Sequence, residues 1–292
     1  MSGRTGGGDG GTPHGRGLAD RIVAWPHAFD TPGAQTELAE LEGRAKSDPE
    51  LTRLNELIGR DSVRRLLAGT FAGSPYLRGL IQRDAARLQR VLVDAPEDRF
   101  QRLVVDLEAQ ASAAASLPEL MRCVRLFKSE VALLTALADL AGVWPVLTVT
   151  GVLTATADAA LDAAVRFLFR QAQAKGDWLE TADDAAVRSG FIVLAMGKHG
   201  AGELNYSSDI DIIVFYEPRR AHLKAGLELQ AFFVRMTRDL VKVMQERTVD
   251  GYVFRVDLRL RPDPGATQVA LSTDAAMHYY ESFGQNWERA AL

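Results

Sequence analysis

Gly197-Lys198-His199-Gly200-Ala201-Gly202-Glu203-Leu204-Asn205-Tyr206-Ser207-Ser208-Asp209-Ile210-Asp211-Ile212-Ile213-Val214-Phe215 is the stretch on which the fold turns. Phe191–Met196 before it and Ile210–Tyr216 at its end are short apolar runs that read as buried strands. The glycines and polar residues between them read as a loop. Side chains two apart on a strand share a face, so Asp209 and Asp211 are expected to project together. Two carboxylates held that close repel each other in a low-dielectric site. A divalent cation relieves the repulsion, and hard oxygen ligands suit Mg²⁺, which keeps waters and shares substrate phosphates. Sites of this kind carry out in-line phosphoryl or nucleotidyl transfer.

The loop has its own chemistry. Gly197, Gly200 and Gly202 permit close backbone approach, and backbone amides in such loops cradle phosphate oxygens. Lys198 adds a positive charge, and Ser207 and Ser208 offer hydroxyls to a phosphate or to Asp209. No Gly-Lys-[Ser/Thr] follows, so this is not a P-loop, and a segment leading into a strand is not a dinucleotide fingerprint. His199 lies in the loop, open to phosphate or to solvent.

A third acid lies downstream. Tyr252-Val253-Phe254-Arg255-Val256-Asp257-Leu258-Arg259-Leu260-Arg261-Pro262 alternates apolar and charged residues, which predicts a half-buried strand. On that pattern Arg255, Asp257, Arg259 and Arg261 share one face, and the surplus of arginine over aspartate suits phosphate oxygens. The plainer alternative is an ion pair on a solvated sheet face.

Composition narrows the function classes. The chain has 292 residues, 47% hydrophobic and 25% charged, ordinary for a globular protein with room for two domains. A net charge of −4 argues against a general nucleic-acid binder. No apolar run approaches the ~20 residues that span a bilayer, and the first 17 residues hold eight glycines and no apolar signal core. Cys123 is the lone cysteine, so neither an internal disulfide nor a cysteine zinc cluster is available. Its place in an apolar-periodic helix predicts a structural thiol. These features predict a cytoplasmic protein without membrane or nucleic-acid partners.

Three parts are expected. Residues 1–17 form a Gly-rich, disordered tail. Residues 18–150 form a helical lead-in domain, punctuated by Pro49, Gly73-Ser74-Pro75, Pro96 and Pro118. Within it Leu117–Leu140 is a long amphipathic helix, and Arg122, Arg125 and Lys128 read as its solvated basic face. Residues 151–292 form the catalytic domain. It has a helix over 155–175, the strand–loop–strand core, a helix over Leu223–Glu246, an Asp250-Gly251 turn and the Arg/Asp strand. The fold class is α+β. Tyr280 and Trp287 are read as packing residues.

A Gly, a loop, Asp-x-Asp on a strand and a single Asp on a later strand resemble the nucleotidyltransferase superfamily that includes DNA polymerase β. More narrowly, Gly197-Lys198 with Gly202–Asp211, then Phe254–Pro262, resemble the two motifs of the glutamine synthetase adenylyltransferase/adenylyl-removing enzymes. Tyr279-Tyr280, Gly284 and Trp287-Glu288-Arg289 are similar to the family's segment C-terminal to those motifs, and Gly73–Leu77 and Arg125–Gly142 to its helical segment N-terminal to them; the resemblance covers residues 55–292. Lys198 stands where the wider superfamily has Ser, a departure that fits the narrower family. The resemblance implies a polymerase-β-like palm, a small mixed sheet flanked by helices. It implies Asp209, Asp211 and Asp257 as catalytic Mg²⁺ ligands, and Gly197, Lys198, Ser207, Ser208, Arg259 and Arg261 as nucleotide and phosphate contacts. It implies glutamine synthetase as protein substrate, ATP/ADP and inorganic phosphate as small substrates, and the PII signal protein as regulatory partner in nitrogen-assimilation control. Family members carry two such modules, one attaching AMP to a tyrosine and one removing it by phosphorolysis. The motif's early place matches the N-terminal, adenylyl-removing module, and an end at Ala291-Leu292 in an expected helix reads as truncation. The alternatives are adenylylation from ATP, another nucleotidyltransferase such as a uridylyltransferase-like enzyme, or a regulatory fragment that binds nucleotide without turnover.

Overall fold

The computed structural model describes residues 15–180, 185–286 and 288. Residues 1–14 of the expected tail, Trp287, Arg289 and the Ala291-Leu292 end lie outside the described residues. The chain forms two compact units, one of residues up to Gln101 with Ala136–Val143, the other of Arg102–Thr135 with Trp144 onward. The helical lead-in expected over 18–150 thus contributes to both.

In the first unit, α1 (Thr31–Ser47), α2 (Thr52–Ile58), α3 (Asp61–Gly73), α4 (Pro75–Arg83) and α5 (Ala85–Val93) follow one another closely. Side-chain caps set several starts: Asp30 accepts from Gly33 N, Ser74 from Leu77 N and Asp84 from Arg87 N, at 3.1, 3.3 and 2.9 Å. Pro75 opens α4, where its missing N–H costs nothing. The periodic Leu54, Leu57, Ile58, Leu80, Ile81, Leu88, Val91 and Leu92 all lie in the core.

Helix α6 (Pro96–Ala113) and helix α7 (Leu117–Leu140) lead to α8 (Val146–Ala174), a 29-residue helix that extends well before the expected 155–175. Then come the short α9 (Ala185–Arg188), strand β1 (Phe191–Met196), the single turn α10 (Gly197–Gly200), strand β2 (Ile210–Tyr216) and α11 (Leu229–Gln245). Strands β3 (Val256–Asp257) and β4 (Leu271–Ser272) and helix α12 (Thr273–Ser282) complete the second unit. β1 runs antiparallel to β2, while β3 and β4 both pair parallel with β2, at its start and its end. This is the small mixed sheet of an α+β fold.

Both sheet faces are apolar, which anchors the strands rigidly. On one face Phe233 of α11 stacks on Tyr216 of β2 at 4.6 Å between ring centroids and on Phe191 of β1 at 5.8 Å. Trp178 meets Phe169 of α8 edge-on at 5.0 Å. On the other face Met196, Ile213 and Phe215 pack with Ala276 of α12, and Leu194, Leu260, Leu271 and Tyr280 pack around them. Among the described residues, no helix is long and apolar enough to cross a membrane.

Two expectations change. The strand predicted over 252–262 is only Val256–Asp257. Before it, Val253 N and Phe254 N donate to Met244 O at the end of α11 rather than to a neighbouring strand. After it, the Asp257 carboxylate accepts from Arg259 N at 2.8 Å, an Asx turn that lifts the chain off the sheet. The basic face predicted for α7 is also broken. Arg125 is 0% exposed, and its guanidinium donates to Met121 O and Gly251 O at 2.8 and 2.9 Å, and to Glu246 O. Burial draws its pKa down, and Glu246 and Asp250 oppose this. The guanidinium satisfies carbonyls at the end of α11 and in the turn before β3, where Gly251 adopts φ +91°.

Arg125→Ala removes all three bonds and leaves Glu246 O without its donor, while Gly251 O keeps Thr248 N, so the unfolding free energy in urea should fall by about 3 kcal/mol. Arg122→Ala, on the exposed side of the same helix, should change it by no more than ~0.5 kcal/mol. Equal urea midpoints for the two variants would contradict the buried role of Arg125.

Candidate active site

The sheet register assembles the site. Met196 of β1 stands opposite Asp211 of β2, and Asp211 stands beside Asp257 of β3. The three residues form one row across three strands, with side chains on one face. Asp209 sits directly before β2, half-buried like Asp211 and Asp257.

The residue after Met196 is therefore forced against Asp211. Gly197 adopts φ +55°, and a Cβ there would lie 2.9 Å from Asp211 Oδ2. Glycine is demanded twice, by the dihedral and by the contact. Gly200 is equally constrained, since a Cβ would lie 2.5 Å from Ala195 O. The Gly197–Gly202 turn closes on itself through Ala201 N to Gly197 O at 3.0 Å and Glu203 N to Lys198 O at 2.8 Å. Lys198 and Ser207 are exposed, Ser208 is half-buried, and Ser207 O accepts from Arg255 Nη2 at 2.8 Å.

The electrostatics follow from this crowding. Burial pushes the Asp211 carboxyl pKa up, and the charges of Asp209 and Asp257 push it further, against weaker opposition from Arg259 and His199. Asp257 is held below the ordinary carboxylate value, above all by its hydrogen bonds to the Arg259 side chain, with burial opposing. Arg259 Nε lies 2.8 and 3.0 Å from the two Asp257 oxygens, a bidentate pair whose arginine side chain is 84% exposed. The field of Arg259 also reaches Asp209 and Asp211. Among the described residues, no three His, Cys, Asp or Glu side chains form a ready-made metal cluster. The Asp257 oxygens are engaged by Arg259 instead.

The structure thus brings Asp209, Asp211, Asp257, Gly197 and Arg259 together. Arg261 belongs elsewhere: its guanidinium donates to Leu258 O and Pro264 O, both at 2.8 Å, and to Thr267 O at 3.4 Å. It holds the loop after β3 in shape, so the shared arginine face predicted from alternation does not form. His199 is likewise not a solvent-facing loop residue. It is 2% exposed, and its Nε2 lies 2.8 Å from Asp158 Oδ1 on α8. No local sequence signal marks that pair, whose members are 41 positions apart.

A family model of glutamate–ammonia ligase adenylyltransferases matches residues 64–292. The chain belongs to that family. It is 47% identical over 284 residues to the bifunctional glutamine synthetase adenylyltransferase/adenylyl-removing enzyme of a Bradyrhizobium strain, covering 97% of this chain and 29% of that relative. The protein of the same description from Rhodopseudomonas palustris is 53% identical over 220 residues, 75% of this chain and 22% of the relative. That from Xanthobacter autotrophicus is 47% identical over 268 residues, 91% and 27% respectively. The chain therefore spans less than a third of the length of these relatives.

Removing Arg261 deletes the bonds that shape the loop after β3. Arg261→Ala should lower unfolding free energy by about 2 kcal/mol, while Arg259→Ala, at an exposed side chain, should shift it far less. Thermal denaturation of both variants checks this, and a larger loss for Arg259→Ala would contradict the assignment.

Proposed function

We propose that this site carries out Mg²⁺-dependent nucleotidyl transfer on a protein tyrosine, with glutamine synthetase as the protein substrate. The observation that carries the reading is the row of Met196, Asp211 and Asp257, with Asp209 beside it and Gly197 pressed against Asp211. The donor set fits the cation. Three carboxylates supply hard oxygens, and burial, with the charges of Asp209 and Asp257 added to it, makes the ionised form of Asp211 costly until a cation joins it. Asp209, Asp211 and Asp257 would hold magnesium, Asp257 by exchanging its arginine partner. Bound there, the ion would supply positive charge to stabilise the transferred phosphoryl group.

The direction we propose is phosphorolytic removal of AMP, one of the two activities named for the curated relatives. A phosphate oxygen forms a bond to the phosphorus of tyrosyl-AMP, the bond from phosphorus to the tyrosine oxygen breaks, and ADP and tyrosine result. A phenol, with a pKa of about 10, is an adequate leaving group. The Gly197–Gly202 backbone, Lys198, Ser207 and Ser208 approach the nucleotide phosphates, and Arg259 positions the attacking phosphate. In the adenylylating direction the alternative role of Asp257, in place of metal ligation, is the base that takes the tyrosine proton. ATP and ADP as ligands, regulation through PII and a cytoplasmic setting belong to the same reading.

The direct test supplies adenylylated glutamine synthetase, Mg²⁺ and inorganic phosphate, and assays ADP. ADP release that depends on phosphate supports the proposal. Labelling of unmodified glutamine synthetase from ATP, without phosphorolysis, would reverse the direction. Asp209→Asn and Asp211→Asn should each abolish turnover. Asp211→Asn should also leave the metal-free melting temperature unchanged or higher, because a repulsive charge is gone. Full activity in either variant would remove that acid from the site. Arg259→Ala should raise the phosphate concentration needed about tenfold, the worth of a charge-assisted hydrogen bond.

A further inference from the structure

We propose that Thr154 and Asp158 of α8 are positioning residues that tie down the glycine turn of the active site at its middle and just past its end. They lie one helical turn apart, on one face of α8. Asp158 Oδ1 is 2.8 Å from His199 Nε2, in the middle of the turn. An ionised carboxylate only accepts, so the ring donates through Nε2–H. Thr154 Oγ1 accepts from Leu204 N at 3.3 Å, just past the turn, while its own hydroxyl donates to Thr150 O at 2.9 Å. That second bond fixes the threonine rotamer.

The clamp has a mechanical consequence. Gly197 and Gly200 meet the sheet so closely that Cβ atoms would clash with Asp211 and Ala195. The turn is therefore seated on the sheet from one side and tied to α8 from the other. His199 is buried and its Nδ1 has no hydrogen-bond partner among the described residues, so the bond to Asp158 is the polar tie they give the ring. Losing it frees the ring to rotate, and with the ring the backbone between Gly197 and Leu204. Those residues approach the phosphates in the proposed function, so the inference rests on that reading for its catalytic consequence.

Asp158 is the residue to change, because its side chain is 62% exposed and its removal opens no cavity. Three variants, Asp158→Ala, Asp158→Asn and Thr154→Val, should be compared by amide hydrogen exchange and by calorimetric titration with MgADP. In Asp158→Ala and Thr154→Val, exchange over 197–204 should accelerate at least about tenfold, with β1 and β2 still protected. MgADP binding should weaken about tenfold in Asp158→Ala. Asp158→Asn keeps an acceptor for Nε2–H, so its affinity should stay within about threefold of wild type. Unchanged exchange over 197–204 in Asp158→Ala overturns the clamp. Faster exchange with unchanged MgADP affinity overturns its positioning role. A wild-type protein that binds no MgADP overturns the nucleotide reading, and the positioning role with it, while the exchange data still decide whether the tie exists.

Discussion

Asp211 sits between two neighbours that its strand pairings do not let it avoid. The antiparallel partner brings Met196, and hence Gly197, against its carboxylate, and the parallel partner brings Asp257 alongside. Everything else in the site is a response to that placement. Glycine is required at 197 because no side chain fits. Arg259 folds back on Asp257 because two acids in one row need a counter-charge. The row is held in register by apolar contacts on both sheet faces, aromatic stacking on one and the cluster around Ile213 and Phe215 on the other.

The Arg259–Asp257 pair then acquires a meaning beyond charge balance. An exposed arginine on a half-buried carboxylate is a weak tie, since solvent screens it. It neutralises Asp257 cheaply and is easily displaced. Among the described residues Asp211 has no such arginine partner, and burial first, then the charges of Asp209 and Asp257, raise its pKa. On the proposed function, a site built this way would gain by taking a cation.

Much of this was legible in the residues. The strands at 191–196 and 210–216 coincide with their apolar runs, but only the second is buried as expected: in β1 Met196 alone is buried and Ile192 is exposed. Asp209, Asp211, Asp257 and Gly197 were recognisable from spacing and from the family resemblance. Alternation misled after Asp257, because period-two patterning ignores what a carboxylate does to its own following backbone. The burial of Arg125 and the His199–Asp158 pair left no trace in the sequence. Each is created by elements distant in the chain, where a polar residue meets backbone carbonyls or one acidic group. Local periodicity assigns such residues to solvent, and only the packed helices show otherwise.

The central claim is that the row of acids is a cation site with Asp211 at its centre. Mn²⁺ is a paramagnetic substitute for Mg²⁺ at oxygen sites, so titration followed by electron paramagnetic resonance reads occupancy without any need for turnover. The account predicts that wild-type protein depletes the free Mn²⁺ signal, that Asp211→Asn weakens this at least about tenfold, and that Arg259→Ala, by releasing Asp257, binds as well or better. Equal Mn²⁺ affinity in wild type and Asp211→Asn would contradict it.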